Sequence, residues 1–194
     1  RPALQSSVTS WIKHHGPMHI LINNTGGPKP GPAWDAAEGD FLRAFENHVL
    51  VNSLLVKLLA PGMKKTHYGR VINIISTSAK IPIPNLGVSN TIRAAVSNWA
   101  KTLAGELGPH GITVNNILPG FTDTSRMREL MRVTAKPRRA PIDVIRKEWE
   151  ASIPLRRLGR PAEIAAAVAF LATPAASYIN GIHLTVDGGR TGCL

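Results

Sequence analysis

Ser76, Ser89 and Arg93 carry side chains whose types could do chemistry. A serine hydroxyl donates a hydrogen bond to an oxygen that gains negative charge. A guanidinium offers a fork of five donors to hydroxyls or to an anion. Ser89 and Arg93 lie four residues apart, so a helix would put them on one face. A serine hydroxyl is a poor proton donor and arginine stays charged. The set therefore suits holding an oxygen better than protonating one. Three polar, small-residue stretches accompany it: Asn23-Asn24-Thr25-Gly26, Ser76-Thr77-Ser78 and Pro119-Gly120-Phe121-Thr122-Asp123-Thr124.

Each stretch follows an apolar run with strand character. Met18 to Asn23, Arg70 to Ile75 and Ile112 to Leu118 are such runs, and Ile182 to Val186 is a fourth, ahead of Asp187-Gly188-Gly189. Helical patterns alternate with them. Leu4 to His15 is amphipathic. Ala36 to Lys65 is helical with a break expected near Asn47. Val88 to Leu107 repeats Ile92, Val96, Trp99 and Leu103 on one face. Pro161 opens a last helix whose buried side is Ile164, Val168 and Leu171. Strands alternating with helices predict an α/β fold with a mostly parallel sheet, right-handed crossovers and both faces covered. In such a sheet ligands bind at the carboxyl ends of strands, where the three polar stretches fall.

The chain of 194 residues is 43% hydrophobic, which suits one domain with a sizeable core. The longest apolar run, Ile164 to Leu171, is too short to span a bilayer. No leader is expected, because the chain opens on polar, helix-like sequence, and Cys193 alone cannot form an intrachain disulfide. A cytoplasmic location follows as the expectation. The formal charge is +11, and residues 136–160 hold eight basic against three acidic side chains. That excess could attract an anionic substrate or an acidic carrier. No nucleic-acid module and no aromatic interleaving accompany it. The seven histidines show no ligand-like pairing, so no metal site is expected.

Taken in order, the motifs resemble the short-chain dehydrogenase/reductase family, and within it the β-ketoacyl carrier-protein reductase-like branch. "NNTGG" resembles the Asn-Asn-Ala-Gly that follows the family's fourth strand. "VINIIS" resembles the fifth strand ending in a catalytic Ser, which is Ser76 here. "ITVNNILPGFTDT" resembles the sixth strand and its Pro-Gly loop, and the stretch from Arg157 to Gly189 resembles the last helix and strand. The resemblance covers nearly the whole chain. It implies a Rossmann-like doubly wound parallel sheet in a single domain, residues 1–194, and hydride transfer between NAD or NADP and a small carbonyl or hydroxyl substrate. It also implies catalytic roles for Ser76, Asn47, Ser89 and Arg93. Asn24, Thr25, Gly26, Arg93, Pro119, Gly120 and Thr124 would hold the cofactor. A homodimer or homotetramer through Val49–Leu59 and Val88–Leu107 is implied too.

Two departures qualify the resemblance. The family's Tyr and Lys positions hold Ser89 and Arg93, so the catalytic site is expected to be degraded. The alternative is a non-catalytic ligand-binding or structural subunit on the same fold. The family's first strands and their Gly-rich pyrophosphate turn have no counterpart in this sequence. The expectation is therefore weak NAD(P) binding and an unpaired edge at Met18–Asn23. A serine hydrolase is a poor rival. Gly87-Val88-Ser89 lacks the closing glycine of a nucleophile elbow, Pro82 and Pro84 spoil a Ser76–Lys80 dyad, and His183 sits inside a strand pattern.

Overall fold

A computed structural model describes residues 1–192, so Cys193 lies outside the described residues. Four parallel strands run β1 (Ile20–Asn23), β2 (Gly69–Ile74), β3 (Ile112–Pro119) and β4 (His183–Val186), adjacent in that order. The helices are α1 (Pro2–His15), α2 (Glu38–Phe45), α3 (Val51–Thr66), α4 (Gly87–Leu107), α5 (Ser125–Arg138), α6 (Ile142–Ala151) and α7 (Pro161–Ala172). The expected break near Asn47 is instead a π turn, Glu46–Leu50, that joins α2 to α3 without leaving the helical path.

Side-chain alternation along each strand sorts the sheet into two faces. Leu21, Val71, Ile112 and Val114 pack with Val56, Leu59 and Met63 of α3 and Ala100 and Ala104 of α4. Ile72 and Ile117 point the other way, onto Val168 and Leu171 of α7. The first two crossovers therefore run over one face and the third over the opposite face, while the strand order keeps advancing. The third crossover has the opposite hand to the first two, which corrects the expectation of uniformly right-handed connections. Residues 121–160 explain how the chain changes faces. α5 and α6 leave the sheet and build their own small core from Met127, Met131, Ile145, Ile153 and Leu158.

Among the described residues β1 pairs only with β2 and forms one edge of the sheet. Its Leu21 and Asn23 are buried, while Ile20 and Ile22 are 45% and 48% exposed on the α7 face. Among the described residues no helix is long and apolar enough to cross a membrane.

Two polar systems lie inside this frame. A row of side chains crosses all four strands in register: Asn23, Asn73, Asn116 and His183. Asn23 Nδ2 donates to Asn73 Oδ1 at 2.8 Å, and Asn73 Nδ2 donates to Asn116 Oδ1 at 2.9 Å. Asn116 Nδ2 approaches His183 Nε2 at 3.5 Å, and Ser97 of α4 closes on the same nitrogen. The second system sits at the amino end of the sheet. There Arg70, 2% exposed, donates to the carbonyls of Gly69 and Thr173 and to Ser177 Oγ, under the Tyr68 ring. Thr173 caps the C-terminus of α7, where a cation is favoured.

Candidate active site

A cleft of about 830 Å³ opens at the carboxyl ends of β1, β2 and β3. Asn24, Thr25 and Gly26 line it from the loop after β1. Ser76 lines it from the end of β2, and Pro119, Gly120 and Thr124 from the end of β3. Ser89 and Arg93 enter from the first turns of α4, and Arg126 from the start of α5. The remaining wall is apolar, with Ile22, Ile74, Ile164 and Val168.

The backbone explains the placement. Gly87 lets the 31–33 loop lie against the start of α4, since a Cβ there would meet Ala33 N at 2.4 Å. That contact, with the Gly31↔Leu86 bridge, sets where Ser89 and Arg93 project. Gly120 lies against the Asp187 turn, where a Cβ would come within 2.5 Å of Asp187 Cβ. Thr124 caps α5 by accepting from Met127 N–H at 3.2 Å and still reaches the cleft wall.

Ser76 sits in extended backbone, and its Oγ accepts the Ser78 N–H at 3.0 Å. That leaves its own proton free to donate toward the cleft. Arg93 is not a surface residue. It is 8% exposed, and its Nη1 donates to the Ile74 carbonyl at 2.9 Å. Burial, with help from the neighbouring Arg126 charge, pushes its pKa down to about 10, so it stays protonated at neutral pH.

The expected site residues come together with one exception. Asn47 is exposed and does not line the cleft. The π turn holds five residues where an α-turn would advance differently, so His48 is the one turned inward. His48 is 2% exposed, and its Nδ1 bonds the hydroxyl of Thr25. Burial first and Arg93 second push its pKa down to about 4, against a small opposing effect of the Gly26 backbone. The ring is therefore neutral at physiological pH. Arg126 also lines the cleft, and nothing in Thr124-Ser125-Arg126 signals this, because the sequence there does not say which way α5 leaves the sheet. Its guanidinium reaches the Pro28 carbonyl across the cleft mouth.

The chain is similar to proteins of one family. The family model described as Enoyl-(Acyl carrier protein) reductase matches residues 2–191. The short-chain reductase protein NovJ of Streptomyces niveus is 41% identical over 190 residues, 97% of this chain and 70% of NovJ. The 7alpha-hydroxysteroid dehydrogenase of Escherichia coli (strain K12) is 36% identical over 178 residues, 92% of this chain and 66% of that protein. The crystal structure of YwfH, an NADPH dependent reductase involved in bacilysin biosynthesis, superposes with a TM-score of 0.93 at 29% identity, covering 100% of this chain and 75% of YwfH. The chain spans about two thirds of the length of the curated relatives it matches. It belongs to the short-chain dehydrogenase/reductase family, a family of NAD(P)-dependent reductases and dehydrogenases.

Proposed function

We propose that the cleft is the nicotinamide and substrate end of a carbonyl reductase or alcohol dehydrogenase whose proton-donating group is weakened. The observation that carries this reading is that Ser76, Ser89 and Arg93 line one cleft together with Asn24, Pro119, Gly120 and Thr124. The residues present fit a nicotinamide: small backbone at Gly26 and Gly120, polar groups at Asn24 and Thr124, and an apolar wall. NAD or NADP, when bound, supplies or accepts the hydride.

The side chains divide the remaining work. Ser76 donates its free proton to the carbonyl oxygen and steadies the charge that develops there. Ser89 offers a second hydrogen bond but little acidity, unlike a tyrosine with its pKa near 10. Arg93 holds hydroxyls or an anion and does not pass protons. Replacing a positioned acid costs roughly 100- to 10,000-fold. Neutral His48 can accept one proton and donate another, and Thr25 links it to the cleft.

The test is steady-state turnover of a 3-oxoacyl thioester and a simple ketone with NADH and NADPH. The double variant Ser89→Tyr with Arg93→Lys should raise turnover by roughly 100-fold or more. Robust turnover in the unmodified chain that survives Ser89→Ala would overturn the weakened-acid reading. Cofactor binding with no turnover in either protein would favour a non-catalytic subunit. Acidic acyl carriers as partners, a cytoplasmic location and assembly through α3 and α4 belong to the same proposal; sedimentation showing only monomer would remove the last.

A further inference from the structure

Among the described residues the cleft holds two cations and no anion. Arg93 and Arg126 line it, and no Asp or Glu does. Arg93 makes no ion pair among the described residues, and its single hydrogen bond is to a backbone carbonyl. Arg126 pairs with Glu129 at 3.0 Å, but that carboxylate is 56% exposed and is not part of the cleft wall. The other end of the Arg126 fork reaches over Gly27 to the Pro28 carbonyl.

Burying a cation without a counter-charge is costly, and a second cation in the same cleft adds to the cost. The two charges do feel one another: Arg126 is the second cause, after burial, of the lowered Arg93 pKa. The first turn of α5 presents the positive end of its dipole from the same side as Arg126. The chain's own residues answer this only in part: Arg93 has one backbone carbonyl, and Arg126 has the exposed Glu129 and the Pro28 carbonyl. Ser89 is short, so the space beside Arg93 stays open.

We propose that an oxyanion, carboxylate or phosphate, carried by the carbonyl substrate binds between Arg93 and Arg126. This assignment rests on the reductase reading for the carbonyl part of the ligand. The anion site itself does not, because it can be measured without cofactor. Arg93 approaches from α4 and Arg126 from α5, so a bound oxyanion joins the two walls. Ser89 adds a hydroxyl donor to the same group. A neutral substrate would leave Arg93 without a counter-charge and Arg126 with only the exposed Glu129.

The test is isothermal titration calorimetry of the full chain with oxalate and, separately, with inorganic phosphate, with no nicotinamide present. Saturable one-to-one binding that weakens with added salt is expected for at least one probe. Arg126→Gln should weaken it about tenfold or more, through loss of a charge-assisted fork. Arg132→Gln, on the exposed side of α5, should leave it unchanged. Equal affinity in the unmodified chain and Arg126→Gln, or equal weakening by Arg132→Gln, would overturn the site. The probe with the higher affinity identifies the carboxylate or the phosphate. In a second arm, a 2-oxo acid should be reduced at least tenfold faster than its neutral ethyl ester. Equal rates would overturn the substrate assignment. Oxalate binding with no turnover of either compound would remove the reductase reading and leave the anion site standing.

Discussion

Arg70 and Arg93 are both almost fully buried, 2% and 8% exposed, and neither has a carboxylate partner among the described residues. They stand at opposite ends of the sheet. Arg70 is saturated: its nitrogens meet Gly69, Thr173 and Ser177, its face meets Tyr68, and the C-terminus of α7 supplies negative potential. Arg93 has one carbonyl and an open cleft. The same side chain at similar burial can thus be a clamp or a receptor. What separates the two is how many donors the chain leaves unanswered.

The largest effect expected from this contrast is on stability at Arg70. Arg70→Met strands the Thr173 and Gly69 carbonyls and should cost about 3 kcal/mol, read as a lower denaturation midpoint at unchanged slope. A cost under about 1 kcal/mol would mean that the α7 contacts contribute little.

Acid should sharpen the contrast next, because only the Arg93 end has a buried histidine that burial and this arginine keep neutral. The His48 pKa falls from 6.5 to about 4 on folding. Between those values the unfolded chain binds more protons than the folded one, so stability falls as pH falls through that window. It is fully present above pH 6.5. The expected loss is about 2–3 kcal/mol. His183, lowered mainly by burial, contributes in the same direction. Urea denaturation at several pH values should show this slope, and His48→Asn should flatten it. An unchanged slope in His48→Asn would assign the acid sensitivity elsewhere.

The smallest stability effect is expected at Arg93 itself. Arg93→Met should change folding stability by no more than about 1 kcal/mol, since an unanswered buried charge is removed with its single bond. The same variant should lose oxalate binding. A loss of stability as large as that of Arg70→Met would erase the distinction between clamp and receptor.

Much of this was legible before the structure. The period of the apolar residues located every strand, and the strand-end stretches located the cleft, because a parallel sheet opens at its carboxyl ends. Ser89 and Arg93 were legible through the family resemblance, as the residues at its Tyr and Lys positions, and a helix carries residues four apart on one face. The failures have physical causes. Asn47 and His48 differ by one position, and a π turn shifts the inward face by about that much without leaving a periodicity signal. The hand of the last crossover depends on how α5 and α6 carry the chain past the sheet edge, a matter of tertiary packing. Arg126 reads as one more basic residue in a basic stretch. Only its reach to Pro28 sets it apart.

The row of Asn23, Asn73, Asn116 and His183 bears on how the sheet assembles. Its amides all point one way, each donating toward β4. A strand that docked one residue out of step would turn its row member to the opposite face and leave the neighbouring amides without partners in a low-dielectric interior. The row therefore favours the in-register sheet over one slipped by a residue.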